Sequence, residues 1–167
     1  MRAAWYDRQG LAREVLKVGE MELPRVGAGE VLVRVHVSGV NPSDTKARAG
    51  WRNRPMPFKR VVPHQDGAGV IQTVGQGVSA HRVGQRVWVY EAQRGRPFGT
   101  AAEFVIVPAP HAIPLPAEIS FKEGACLGVP AMTAHCSVFA DGPVAGQTVL
   151  VAGGAGAVGN AAIQLAK

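Results

Sequence analysis

Glycine and proline divide the first 115 residues into apolar runs too short to make packed helices. The chain holds 21 Gly and 12 Pro, and they punctuate the runs rather than forming a low-complexity tract. Gly27-Ala-Gly29, Gly75-Gln-Gly77, Gly95 and Pro97-Phe-Gly99 mark turns, where glycine supplies positive φ and proline stops a ladder. A helical bundle is excluded. Between the turns, Val31-Leu-Val-Arg-Val-His-Val37 alternates strictly. That pattern predicts a strand with Val31, Val33, Val35 and Val37 on one face and Arg34 and His36 on the other. Further strands are expected at Arg2–Tyr6, Val15–Val18, Gly69–Val74, Arg86–Tyr90 and Ala102–Val107. Short strands at this spacing imply a barrel or sandwich. The one helix expected here, Ser43–Arg48, follows Pro42 and stops at Gly50.

The pattern changes at Ser120. All of the 18 Lys and Arg except Lys122 and Lys167 precede residue 97, and the chain after Glu103 is rich in Ala, Gly and Val. Ser120-Phe-Lys-Glu123 is a capping box, in which the Ser hydroxyl accepts from the Glu123 amide and the carboxylate returns to the Ser amide. It predicts a helix of about 18 residues, interrupted near Pro130 and ending at Gly142. A short strand, Thr148–Val151, then leads into a glycine cluster and an Ala-rich helix from near Gly156. Two domains are expected, one at 1–120 and the start of another at 121–167.

The cluster contains Gly154-x-Gly156-x-x-Gly159, between a predicted strand and a predicted helix. In a dinucleotide-binding turn one glycine permits the tight bend and one lets the backbone approach a pyrophosphate. The third allows close helix–strand packing, and the helix N-terminus offers free amides and partial positive charge. The bland alternative is a glycine-rich connection with no ligand. The residue that reads the ribose lies about 20 positions further on, beyond Lys167. A single β–α unit cannot cover both faces of a parallel sheet, so the chain reads as the N-terminal piece of a longer protein.

Composition limits the class. With 47% apolar and 18% charged residues, the chain can bury a core and is not a disordered tail. No run nears the roughly 18 apolar residues of a membrane span, and the first ten residues lack the apolar segment of a secretory signal. Cys126 and Cys136 lie in one predicted helix and make neither a disulfide framework nor a metal-ligand spacing. A cytoplasmic protein is expected.

The segments GVNPSDTKARAG (39–50), PHQDGAGVIQTVGQGVSAHRVGQRV (63–87), FGTAAEFVIVP (98–108) and VLVAGGAGAVGNAAIQLAK (149–167) resemble the medium-chain dehydrogenase/reductase superfamily. Within it they look most like the zinc-independent NADPH:quinone oxidoreductases, the zeta-crystallin-like branch. The resemblance covers essentially the whole chain in order. It implies a mainly β GroES-like barrel followed by the first β–α unit of a Rossmann domain, and a protein about twice this length that forms a homodimer. It implies hydride transfer from NADPH to a small quinone or α,β-unsaturated carbonyl. The positions that separate NADPH from NADH lie beyond Lys167, so the preference for NADPH rests on the resemblance. A chain ending at Lys167 is expected to be inactive alone.

Zinc alcohol dehydrogenases of the superfamily carry Cys where this chain has Asn41, and His-Glu where it has Gln65-Asp66. Neither Asn nor Gln is a strong zinc ligand, so no metal is expected. His64, one position away, reads as a hydrogen-bonded loop residue. The resemblance places Asn41 and Asp44 beside cofactor or substrate, although both also suit capping of the helix near Ser43. Lys46 stands where quinone reductases often have Tyr. It offers a donor to an oxyanion or an attraction for acidic substrates, and equally reads as a solvated charge. Thr133 matches a threonine near the nicotinamide, unless its hydroxyl bonds a carbonyl one helical turn back. Gly154, Gly156, Ala157, Val158 and Gly159 form the cofactor turn. Catalytic roles are thus expected for Asn41, Asp44 and Lys46, and cofactor binding for Asn41, Thr133 and the turn.

One other feature stands apart. Lys46, Arg48, Arg52, Arg54, Lys59 and Arg60 interleave with Trp51 and Phe58 without an acid. Basic and aromatic residues together suit nucleic acid, but the cluster sits in a Pro-rich loop with no binding module, and a solvated or substrate-lining loop is the expectation. The competing readings are a non-catalytic GroES-like protein that binds nucleotide or acidic ligands, and a zinc alcohol dehydrogenase with displaced ligands.

Overall fold

The computed structural model describes residues 1–167. Its centre is a five-stranded antiparallel sheet curled as a half-barrel. The strands are β3 (Glu30–Gly39), β4 (Asp66–Val74), β5 (Arg86–Val89), β6 (Phe104–Pro108) and β7 (Ala112–Pro114), in the order β6-β3-β4-β5-β7. A two-stranded ribbon of β1 (Arg2–Trp5) and β2 (Lys17–Glu20) lies beside it. The valine alternation makes the core: Val31 and Val33 pair with Val107 and Val105 on one side, and Val33 with Ile71 on the other. These five side chains are at most 1% exposed. They pack with Val87, Val89, Ala92 and Ala112.

The alternation does not run through to Val37 as its sequence predicts. Val35 opposes Gly69 and Val37 opposes Ala68, so His36 is an extra residue in the ladder. A bulge of this kind bends the strand and shifts the parity of the residues beyond it. Val35 therefore packs against the main core, whereas Val37 joins a second cluster with Ala68, Leu115 and Ala125. His36 stacks on Phe121, with ring centroids 4.5 Å apart. The bend redirects the end of β3 towards the helices.

Three other expectations are corrected. Val15–Val18 is not one strand: α1 (Ala12–Val15) closes a helical turn, with Leu16 N–H donating to Ala12 O at 2.9 Å, before β2 begins. Val15 is buried against Tyr6 and Val61, and that burial favours the turn. The helix after Ser120 is two helices, α3 (Phe121–Gly124) and α4 (Gly128–Phe139). Its break comes before Pro130, which sits in the first turn of α4, where a missing N–H costs no helical bond. Thr148–Val151 joins no sheet, having no neighbouring strand with which to pair. The glycine turn and its helix, α5 (Ala157–Leu165), do form, and α5 packs on α4. The edge strand β7 escapes the sequence reading because Pro114 within it and Pro110 and Pro116 around it mask it, and an edge is where a sheet tolerates proline. The helix expected at Ser43–Arg48 is α2 (Pro42–Ala49), ended by left-handed Gly50.

The core supplies a direct test. Ile71→Val is expected to cost about 1 kcal/mol and Ile71→Ala about 2–5 kcal/mol, read from denaturant midpoints. Equal effects of the two substitutions would contradict the packing.

Candidate active site

The strongest local organiser is a carboxylate that does not stand out in the sequence. Asp66 opens β4 and is 1% exposed. Its Oδ2 accepts from Asn41 Nδ2 at 2.8 Å and from the Val129 backbone N–H at 2.7 Å. Asn41 is the N-cap residue of α2, and Val129 lies in the first turn of α4. One side chain thus ties the sheet to the start of two helices. A carboxylate at a helix N-terminus satisfies an orphan amide and meets the positive end of the dipole. It also explains why the segment after Ser120 breaks where it does: the capped end of α4 must face β4. At Gly128 an added Cβ would lie 2.1 Å from Asp66 Oδ1, so only glycine lets α4 approach.

The network extends sideways. The Thr100 hydroxyl donates to the Asp66 carbonyl, and Ser38 Oγ lies 2.8 Å from both Thr100 Oγ1 and His64 Nδ1. His64 has φ +81°, and burial pushes its pKa down. Gln65 accepts from the Gln93 N–H at 3.0 Å. Asp44, 7% exposed, accepts from the Asn41 backbone N–H at 2.8 Å. Burial pushes the pKa of both Asp44 and Asp66 up, and hydrogen bonds, including those from Asn41, pull it back; the charge of Asp44 adds to the rise at Asp66. Asp66 Oδ1 has no hydrogen-bond partner, consistent with a carboxyl that is costly to ionise.

Beside this network lies a cavity of about 760 Å³. One wall is Gly39, Val40, Asn41 and Pro42; another is the start of α4, at Val129 and Pro130; the third is the glycine turn through Gly159. Gly156 is the N-cap residue of α5 and brings no side-chain cap, which leaves the first amides of the helix open. At Gly159 a Cβ would lie 2.3 Å from Gly153 O, so the helix touches the turn backbone there. The left-handed residue is Gly153, at φ +71°, one position before the Gly154-x-Gly156-x-x-Gly159 match. The sequence reading missed it, although the doubled glycine was the available signal.

Asn41, Gly156, Ala157, Val158 and Gly159 therefore share one cavity. Gly154 sits in the same turn, where an added Cβ would meet Ile163 at 2.8 Å. Thr133 is not among its lining residues: it is exposed, and its hydroxyl donates to Val129 O at 2.6 Å, one helical turn back. Asp44 and Lys46 line a second cavity of about 610 Å³ that adjoins the first through consecutive residues of α2. Lys46 Nζ lies 4.8 Å from the centroid of the Trp51 ring.

Residues 27–117 match the alcohol dehydrogenase GroES-like domain family. The chain belongs to this family, within the medium-chain dehydrogenase/reductase superfamily. It is 38% identical over 156 residues to the quinone oxidoreductase of Rattus norvegicus, covering 92% of this chain and 46% of the relative. It is 39% identical over 145 residues to the synaptic vesicle membrane protein VAT-1 homolog of Danio rerio, covering 86% and 29%. A mycobacterial protein solved in complex with NADPH superposes with a TM-score of 0.83 at 31% identity, covering 99% of this chain and 49% of that one. The chain spans about half the length, or less, of the curated relatives it matches. The mainly β GroES-like domain expected from sequence is the family's fold, and no helix is long and apolar enough to cross a membrane.

The Asp66 network predicts a pH response. A buried carboxyl whose pKa is raised on folding favours the protonated form of the native state, so stability falls as pH rises from about 4 through the raised value. Asp66→Asn is expected to flatten that fall. Asp66→Ala, which strands the Asn41 and Val129 donors, is expected to cost about 2–4 kcal/mol at neutral pH. Denaturant unfolding at pH 4 to 8 checks both, and an unchanged slope in Asp66→Asn contradicts the assignment.

Proposed function

We propose that this chain forms the substrate-side domain and the start of the dinucleotide-binding domain of a zinc-independent, NADPH-dependent reductase of quinones or α,β-unsaturated carbonyls. The division falls near residue 120. The observation that carries the reading is the cavity in which Asn41 faces the Gly153–Gly159 turn. A pyrophosphate needs backbone amides without a side-chain cap and a close helix–turn approach; Gly156 and Gly159 meet both needs. NADPH is the favoured nicotinamide because a neighbour at 31% identity was solved with it.

Bound NADPH supplies the hydride, and the protein supplies position and electrostatics. Gly154, Gly156, Ala157, Val158 and Gly159 would hold the phosphates. Asn41 Nδ2 carries two N–H groups; one donates to Asp66, which fixes the amide, and the other is offered to the oxygen of the acceptor as it gains charge. Pro42 and Val129 flank Asn41 on that wall of the cavity. The donor set argues for chemistry without zinc: Asn41 and Gln65 carry neutral amides, and Asp66 is committed to Asn41 and Val129. The two free cysteines suit a reducing compartment such as the cytoplasm, and a homodimer belongs to the same reading.

Two substitutions in the whole protein separate the roles. Gly159→Ala is expected to weaken NADPH binding at least about tenfold, because its Cβ meets the Gly153 carbonyl. Asn41→Ala is expected to lower kcat for quinone reduction about 100-fold, with a much smaller change in NADPH affinity. Fluorescence titration and steady-state NADPH oxidation read the two effects. Native NADPH affinity in Gly159→Ala would overturn the cofactor assignment.

A further inference from the structure

The basic loop divides once its contacts are traced. Arg60 pairs with Asp7 at 2.7 Å, Arg48 donates to the Gly10 carbonyl, and Phe58 packs on the small core of Tyr6, Val15 and Val61. Lys59 rests on no ring and lines neither cavity, so Lys46, Arg52 and Arg54 remain. All three are exposed and none pairs with a carboxylate. Two of them rest on one ring: Lys46 Nζ is 4.8 Å and the Arg52 guanidinium carbon 4.1 Å from the Trp51 centroid. A cation–π contact fixes a cation without neutralising it. The backbone is also constrained there, since Arg52 and Asn53 both take left-handed φ, at +60° and +53°, a conformation that costs non-glycine residues about 1–3 kcal/mol.

Lys46, Trp51 and Arg54 line the second cavity. Its other walls include Tyr6 and the rigid rings of Pro55 and Pro57. The one carboxylate in the lining, Asp44, is 7% exposed and bonded to the Asn41 N–H, whereas Lys46 and Arg54 are exposed. A flat apolar wall beneath unpaired, pre-positioned cations matches one ligand chemistry. We infer that this cavity selects acceptors that are both flat and anionic, a quinone or aromatic enone bearing a carboxylate, sulfonate or phenolate. The ring would lie against Pro55, Pro57 and the edge of Trp51, and the anion would meet Lys46 and Arg54, with Arg52 adding its charge from behind the Trp51 ring. As a substrate assignment this rests on the reductase reading; the anion selectivity itself rests on the cavity alone.

The test is equilibrium dialysis of the whole protein with anthraquinone-2-sulfonate and with its neutral analogue 2-hydroxymethylanthraquinone. The sulfonate is expected to bind at least about tenfold tighter, and Lys46→Gln and Arg54→Gln each to remove about fivefold of its affinity with much less effect on the neutral analogue. Trp51→Leu is expected to weaken the sulfonate several-fold by releasing both cations. A second measurement needs no variant: the preference for the sulfonate should shrink as ionic strength rises and the screening length falls from about 30 to about 3 Å. Equal affinity for the two compounds, or a preference indifferent to salt and to both glutamine substitutions, would overturn the inference. Reduction of neutral quinones without anion preference would leave the reductase reading standing and remove this one. Selective sulfonate binding without NADPH binding would do the reverse.

Discussion

A single buried carboxylate holds the site together. Asp66 accepts from Asn41 on one side and Val129 on the other, so the N-terminus of α2, the N-terminus of α4 and the start of β4 cannot move independently. Each bond joins residues distant in sequence, and breaking a buried bond leaves its donor stranded, which is costly. The sheet sets where Asp66 stands. The bulge at His36 turns the end of β3 so that Asn41 can reach it, and Gly128 clears the space through which α4 approaches. The main cavity exists because these constraints fix Asn41 and the first turn of α4 opposite the glycine turn.

The proposed zinc-independent reading agrees with how three of these side chains are used. By the resemblance, Asn41, Gln65 and Asp66 stand where zinc alcohol dehydrogenases would carry Cys, His and Glu. Here they form a hydrogen-bonded lattice: an amide donating to a carboxylate, a carboxylate capping a helix, a second amide turned to the Gln93 backbone. In the proposed zinc-independent reading these residues hold one another rather than a metal.

Much of this was legible in sequence because the responsible signals are local. The Val31–Val33 alternation, the Ser120-x-x-Glu123 box and the helix after Gly156 each depend on neighbours within a few residues, and each forms as read. The failures are tertiary. The bulge that sends Val37 to another cluster changes no residue type in the pattern. The break before Gly128 is imposed by a carboxylate some sixty positions earlier, and Thr148–Val151 stays out of a sheet for want of a partner. Asn41 is singled out by the resemblance; its anchor Asp66 stands there only as a missing metal ligand, although an acid ahead of the apolar run Gly67–Ile71 is a signal. The left-handed glycine lies one residue before the motif that was recognised.

In the function proposed above, this scaffold directs hydride from a nicotinamide to an enone or quinone without a metal. The most direct measurement uses the whole protein, stripped of metal by a chelator, with NADPH deuterated at the transferring carbon and an α,β-unsaturated ketone. Mass spectrometry then locates the label in the product. The account predicts one deuterium at the β-carbon, at a rate unaffected by the chelator. Transfer that appears only when zinc is restored, or none to any enone or quinone, would contradict it.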